Sequence, residues 1–218
     1  MVELKAENIS KKIKKNIILN NISLYLTGGN VYGFVGRNGS GKTMLFRALS
    51  GLIKIDEGKI YYNGENIFSK YSVLPDIGMI IENTGMYLEY SGFKNLDILA
   101  GINKKIGKKE IIESLERVGL DPSDKRAVRK YSLGMKQRLA IAQAIMEKPK
   151  VIMLDEPTNG IDRNGLKDVH EIIKEEKNKD KIILLASHDL DDLNLLCDEI
   201  YFIENGRIKD SSEEISND

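Results

Sequence analysis

The sequence predicts an α/β fold built on a mostly parallel sheet, and three observations lead to that prediction. A glycine-rich stretch at residues 36–43 lies between a short apolar segment and a segment of helical character. After Pro149, short apolar segments alternate with longer segments of helical spacing, as in strand–helix–strand units. Between these two parts, residues 83–146 show helical spacing almost throughout, so we expect a helical insert between two strands of the sheet.

The first 27 residues predict a small, mainly antiparallel sheet. Apolar residues alternate with polar ones at positions 2, 4 and 6 and again at 22, 24 and 26, with a polar break at Lys11–Asn16. Lys59–Asn63 follows a turn and is expected to return to this sheet. Tyr25 and Tyr32 lie on predicted strands, and we assign both to the core.

The strands and helices of the main sheet follow from the apolar spacing. We assign strands to Val31–Val35, Ile77–Ile81, Val151–Leu154, Ile182–Ala186 and Ile200–Ile203, and helices to Thr43–Ser50, Leu166–Lys177 and Leu190–Cys197. The helical insert has three apolar faces: Leu96, Leu99 and Ile102; Ile111, Leu115 and Val118; and Leu139, Ile141, Ala142 and Ile145. A turn at 204–207 leads into a short strand at Ile208, and residues 210–218 are expected to be frayed.

Length and composition limit the possible functions. A chain of 218 residues with 33 basic and 33 acidic residues fits one domain with an insert and has no basic footprint for nucleic acid. Cys197 is the single cysteine, which excludes an internal disulfide and indicates a reducing compartment. The N-terminus lacks the apolar core of a signal peptide, and the apolar runs are too short to cross a bilayer. We therefore expect a soluble chain that reaches a membrane only through a partner.

The glycine-rich stretch Gly36–Thr43 fits G-x-x-x-x-G-K-[ST], the phosphate-binding P-loop. Its glycines are expected to adopt φ values closed to other residues, so that successive N–H groups turn towards a phosphate. Lys42 would add a charge for the outer phosphates and Thr43 a hydroxyl for Mg²⁺. A glycine-rich turn with a chance lysine is the alternative, but the strand before and helix after disfavour it. The predicted nucleotide contacts are Gly36, Arg37, Asn38, Gly39, Ser40, Gly41, Lys42, Thr43 and Met44.

Two acidic residues, Asp155 and Glu156, end the apolar strand that starts at Val151. Ligands of such sheets lie beyond the carboxyl ends of the strands. Asp155 is therefore expected to hold the Mg²⁺ shell, and Glu156 to orient or deprotonate the water that attacks the γ-phosphate. An acidic turn at a strand end is common in α/β proteins, and only the phosphate loop makes the catalytic interpretation the better one.

The stretch Tyr131–Arg138 precedes an apolar helix. Ser132 can cap that helix, and Gly134 would keep its first turn open to an anion. The residues alone leave an ordinary capped helix equally possible.

Together these segments resemble the ATP-binding cassette (ABC) proteins, whose signature is similar to Tyr131–Arg138. Asn159–Asp162 resembles the D-loop of that family, and Ser187–Asp189 its switch-histidine segment, with His188 at the centre. His170, on a polar helix, is given no functional role. The resemblance extends from about residue 4 to residue 208. Within the family, residues 77–86 are most similar to ATPase subunits of drug, bacitracin and lantibiotic-type exporters.

The resemblance implies one nucleotide-binding domain at residues 1–218. Its P-loop NTPase core lobe would cover about 1–82 and 147–210, with an N-terminal antiparallel β subdomain, and its helical insert about 83–146. The family binds ATP and Mg²⁺ and hydrolyses ATP, with Lys42, Glu156 and His188 as catalytic residues by resemblance.

The resemblance also implies partners. Two copies, identical or related, would close each ATP between the phosphate loop of one copy and Ser132, Gly134 and Asp162 of the other. A separate transmembrane permease would hold the chain at the cytoplasmic face of the membrane, and we expect Tyr87 and Leu88 to anchor that contact.

Two positions depart from the family pattern. Glu82 stands where most members have a glutamine, and an acid there could contact Mg²⁺ or add an unfavourable charge. Ile13 stands where an aromatic residue usually stacks on adenine. Two alternatives stay open: a soluble ABC ATPase acting in translation, DNA repair or cluster assembly, and a low-turnover regulatory or immunity subunit. The chain lacks the second cassette or long coiled coil typical of the first, whereas Glu82 keeps the second open.

Overall fold

The computed structural model of the chain describes residues 1–81, 85–177 and 180–209, with only the backbone described at residues 163 and 164. Its strands are β1 (Glu3–Ile13), β2 (Asn16–Thr27), β3 (Asn30–Val35), β4 (Glu57–Tyr62), β5 (Glu65–Asn66), β6 (Ile77–Ile80), β7 (Val151–Asp155), β8 (Ile182–Ser187), β9 (Glu199–Glu204) and β10 (Arg207–Lys209). Its helices are α1 (Lys42–Leu49), α2 (Ile67–Lys70), α3 (Gly92–Asn103), α4 (Lys108–Arg117), α5 (Leu133–Ile145), α6 (Arg163–Lys177) and α7 (Leu190–Leu196), with one 3-10 turn at Val128–Lys130.

Over the described ranges the strands form two sheets. The first has the order β2-β1-β4-β5 and is antiparallel. The second has the order β10-β9-β3-β8-β7-β6, and its neighbours are parallel except at the β9–β10 hairpin. The predicted fold class, a mostly parallel sheet with an N-terminal antiparallel sheet and a helical insert, is confirmed.

The parallel sheet lies between two apolar layers because its side chains alternate between faces. Along β7, Ile152 and Leu154 pack with the helices of the insert and with α6 and α7. Val151 and Met153 pack on the opposite side, with α1 and the antiparallel sheet. The strands are thus buried on both faces, which is why they appear in the sequence as continuous apolar runs.

The helical insert leaves β6 and returns to β7. Its α3, α4 and α5 pack on one another and bury the predicted apolar faces, except that Ile102, in the last turn of α3, is 71% exposed. Met86 and Phe93 pack against the core, whereas Tyr87, Leu88 and Tyr90 are about half exposed. Among the described residues, no helix combines the length and apolar character needed to cross a membrane.

Charged side chains join the insert to the parallel-sheet layer. Arg117, at the end of α4, donates from Nη1 to Glu176 and from Nη2 to Glu175 of α6, both at 2.8 Å. Glu176 also pairs with Lys181, just before β8. Further along, Arg138 of α5 approaches Asp168 of α6 at 3.1 Å.

Of the two tyrosines assigned to the core, one prediction was wrong and the other was right. Tyr25 is 53% exposed, because it points away from the face that carries Leu24 and Leu26. Tyr32 is buried as predicted, and its hydroxyl accepts a hydrogen bond from the Thr27 N–H at 2.8 Å.

Candidate active site

The phosphate loop connects β3 to α1 at the carboxyl edge of the parallel sheet. Gly39 and Gly41 have φ of 81° and 113°, in the left-handed region that glycine adopts without strain. Gly36 does not lie in that region, so its predicted conformational role was wrong. Space is what it requires, because a Cβ there would lie 2.3 Å from the Ile203 carbonyl oxygen.

The loop closes around its lysine. Lys42, in the first turn of α1, is buried, and its Nζ donates to the carbonyl oxygens of Gly36 at 2.6 Å and Arg37 at 3.4 Å. Within the described part of the chain, the buried Ser40 Oγ has no hydrogen-bond partner. The concave loop, the buried cation and the N-terminus of α1 together suit a phosphate group.

Thr43 and Asp155 meet directly beneath the loop. Thr43 Oγ1 donates to Asp155 Oδ2 at 2.5 Å, which joins the start of α1 to the end of β7 across 112 positions of sequence. Hydroxyl and carboxylate oxygens are the ligands that Mg²⁺ prefers, so this pair fits the predicted metal. The third predicted ligand, Glu82, lies outside the described residues.

Glu156 has an unusual backbone conformation for a residue with a side chain, with φ of 51°. Such a left-handed residue costs about 1–3 kcal/mol and persists only where its surroundings hold it. Its N–H donates to the Ala186 carbonyl at 2.8 Å, and its own carbonyl accepts from the Asn159 N–H and the Gln137 side chain, both at 3.2 Å. The turn that follows β7 is therefore restrained from several sides.

His188 follows β8 and reaches the Glu156 carboxylate. The distance from His188 Nδ1 to Glu156 Oε2 is 2.8 Å, and the imidazole is largely exposed. Asp189 then caps α7 by accepting from the N–H groups of Asp191 and Asp192, which fixes the segment that carries the histidine. The other histidine, His170, lies 3.5 Å from Asp192 between α6 and α7, away from this cluster.

The remaining predicted contacts form a second group. Ser132 caps α5 by accepting from the Met135 N–H at 3.2 Å, and Asp162 accepts from the Gly165 N–H at 2.9 Å. Ser132, Gly134 and Asp162 line one open cleft of about 660 Å³, and no phosphate-loop residue contributes to its wall. One chain therefore carries the two groups on separate surfaces.

Ile13 and Gln137 lie on two different elements, β1 and α5. Ile13 is the last residue of β1 and is exposed. The next strand, β2, lies against the phosphate loop, because a Cβ on Gly41 would lie 3.1 Å from the Ile18 carbonyl oxygen. Gln137 lies in the signature segment Tyr131–Arg138, and the sequence predicted no role for it. No local pattern shows that its side chain reaches the end of β7.

The fold and the cluster define the class of protein. A strand, phosphate loop and helix, with an acidic pair at the end of a nearby parallel strand, form the arrangement of P-loop nucleoside triphosphatases. A family model described as "ABC transporter" matches residues 19–159, and the chain belongs to that family. It is an ATP-hydrolysing cassette.

The relatives agree with this assignment. The chain is 47% identical over 208 residues to the uncharacterized ABC transporter ATP-binding protein YybJ of Bacillus subtilis (strain 168), covering 95% of each chain. It is 39% identical to the bacitracin transport ATP-binding protein BcrA of Bacillus licheniformis, over 94% of this chain and 68% of that protein. The dimeric structure of MJ0796, a bacterial ABC transporter cassette, superposes with a TM-score of 0.84 at 22% identity, covering 95% of this chain and 97% of that one, which shows a shared fold.

Proposed function

We propose that this chain is the ATPase subunit of a membrane exporter, in which ATP binding and hydrolysis drive a separate permease. The similarity to a bacitracin transport ATP-binding protein supports a role in transport. The observation that carries the ATPase chemistry is the cluster beneath the phosphate loop, where the Thr43–Asp155 contact lies at the same sheet edge as the Glu156–His188 pair.

Each member of the cluster has a separate task. Lys42 and the loop N–H groups bind the β- and γ-phosphates of the substrate ATP, and Ser40 Oγ is free to donate to them. Ile13 offers a flat apolar contact to the adenine. Glu156 orients the attacking water and accepts its proton, while His188 holds the Glu156 carboxylate at 2.8 Å.

Thr43 and Asp155 are the residues that would hold Mg²⁺, with Glu82 as the third candidate. The bound ion would neutralise charge on the phosphate oxygens. The same two side chains also join α1 to β7, so their hydrogen bond keeps the phosphate loop in register with Glu156.

Two copies, identical or related, would complete each site. Ser132, Gly134 and Asp162 line a cleft away from the phosphate loop of their own chain, and the open first turn of α5 suits an anion. A head-to-tail pair would place this cleft over the partner's ATP. The pair of copies would close when ATP binds and open after hydrolysis, and this movement would drive the permease.

The permease would dock on the insert, holding the chain at the cytoplasmic face of the membrane. Tyr87, Leu88 and Tyr90 form an exposed apolar patch before α3, and such patches mark contact surfaces. The backbone beneath them is firm, because Leu88 and Tyr90 accept hydrogen bonds from the N–H groups of Arg129 and Val128. The whole chain would form a single nucleotide-binding domain.

The test compares two variants of the nucleotide site. Lys42→Ala removes the buried cation and should weaken ATP binding, with the surface lysine variant Lys59→Ala as its control. Glu156→Gln keeps the shape of the side chain and should leave ATP bound while lowering phosphate release by ~10²–10⁴-fold. If Glu156→Gln turned over at the rate of the exposed-residue control Glu113→Gln, Glu156 would lose its proposed role.

Dimer formation is measured in the Glu156→Gln variant. Glu156→Gln with ATP should form a dimer in light scattering, whereas ADP should leave monomers. Ser132→Arg should abolish that dimer without affecting ATP binding, because a bulky cation then occupies the cleft. A dimer that survived Ser132→Arg would place the interface elsewhere.

A further inference from the structure

Gln137 connects α5, the helix that Ser132 caps, to the backbone of Glu156, the proposed catalytic residue. It lies in the second turn of α5, partly buried, and its Nε2 donates to the Glu156 carbonyl oxygen at 3.2 Å. The Glu156 carbonyl also accepts from the Asn159 N–H, but that donor belongs to the same turn and would move with it. The Gln137 amide is thus the restraint on this carbonyl that comes from a different element.

The restraint matters because Glu156 is held in a strained conformation. With φ at 51°, the residue would relax if its surroundings allowed it to. The Glu156 N–H is hydrogen-bonded to the Ala186 carbonyl in β8, so the peptide plane that can still rotate is the one that carries the Glu156 carbonyl. Rotation there redirects the turn and the carboxylate that lies 2.8 Å from His188.

A second contact joins the same two elements. Leu133 packs so closely over Gly160 that a Cβ on the glycine would lie 2.2 Å from Leu133 Cδ2. The first two turns of α5 therefore touch the turn after β7 near both of its ends. Ser132 is five residues before Gln137 in the sequence, about 7.5 Å along the same helix. A shift of the Ser132 end would reach Glu156 through Gln137.

We infer that Gln137 is a positioning residue for hydrolysis: its amide holds the Glu156 peptide, and hence the carboxylate, in register with the helix that carries Ser132. The inference rests on the proposed role of Glu156. Gln137 would act through the Glu156 carbonyl and not on ATP or water directly, so its loss should affect the chemical step and leave binding unchanged.

The experiment measures kcat and KM for ATP in Gln137→Met, which keeps the length of the side chain and removes the donor. The control is Gln143→Met, on the same helix with the same partial burial, in a residue that lies away from Glu156. Loss of one neutral hydrogen bond that acts in the transition state should lower kcat about 3- to 10-fold, with KM and ATP-driven association unchanged. Rates are divided by the fraction of chains that bind ATP, so partial unfolding does not enter the comparison.

A double variant decides whether Gln137 acts through Glu156. In the Glu156→Gln background, Gln137→Met should cause no further loss of the residual rate, because the carboxylate it positions is gone. The same loss in both backgrounds, or a kcat for Gln137→Met equal to that of Gln143→Met, would overturn the inference. If Glu156→Gln alone were fully active, the proposed role of Glu156 would fail and this inference with it. A slow Glu156→Gln beside a fully active Gln137→Met would overturn only the role of Gln137.

Discussion

Replacing Glu176 with glutamine should destabilise the fold more than changing any surface ion pair. The Glu176 side chain is 3% exposed and lies between two cations, Arg117 of α4 and Lys181 at the start of β8. It therefore joins the helical insert to the parallel-sheet layer through one carboxylate. Glutamine has nearly the same shape, so Glu176→Gln changes the charge without leaving a cavity.

The expected size of the effect follows from the burial of the partners. Arg117 keeps its second contact with Glu175 at 2.8 Å, whereas the Lys181 side chain, 4% exposed, would face a neutral amide where a carboxylate stood. Removing one partner of a buried ion pair costs about 3–5 kcal/mol. For a chain of this size, each kcal/mol lowers the melting temperature by about 2–4 °C, so we expect a fall of about 6–20 °C.

Thermal unfolding followed by circular dichroism measures this difference directly. The control is Glu7→Gln, which breaks the pair between Glu7 and Lys5 on the outer face of β1, where the side chains are 40% and 48% exposed. That variant should melt almost as the parent does, because water screens an exposed pair. Equal melting temperatures for Glu176→Gln and Glu7→Gln would refute the reasoning from burial.

Three further predictions concern docking, the metal and the thiol. Changing Tyr87 and Leu88 to serine should release the chain from membranes that contain its permease while ATP binding persists; retention at parental levels would place docking elsewhere. Glu82→Gln should raise the ATPase rate or lower its Mg²⁺ requirement, and unchanged kinetics across a Mg²⁺ titration would mean that the acid carries no cost. Burial raises the pKa of Cys197 to about 12, so at pH 8 alkylation should be at least about 100-fold slower than in the urea-unfolded chain. A native rate within tenfold of the unfolded rate would contradict that.

The raised pKa of Cys197 also determines how the stability of the fold depends on pH. The folded thiol holds its proton more tightly than an unfolded thiol with a pKa near 9, so the unfolded chain ionises first as the pH rises. Its contribution to stability is therefore full below pH 9 and is lost as the pH approaches about 12.

Local spacing in the sequence was enough to predict the parallel sheet, the phosphate loop and the acidic strand end. These features depend on neighbours within a few residues: glycines at fixed offsets, apolar runs of strand length, and turn residues between them. The alternation of apolar residues along β2 also predicts that Tyr25 is exposed, since Leu24 and Leu26 occupy the buried face and the residue between them must point outward. Assigning Tyr25 to the core ignored that period.

Only the tertiary structure decided how distant segments meet. Glu156 and His188 lie 32 positions apart, and Gln137 reaches Glu156 from 19 positions away. Apolar spacing states which face of an element is buried, but not which side chain lies opposite it, because that depends on how helices and strands dock. The same limit explains why Ile102 is exposed. Its spacing continues the apolar face of α3, but the last turn of the helix extends beyond the core. The sequence by itself determined the elements and the chemistry of the loop, and packing decided which side chains that chemistry can reach.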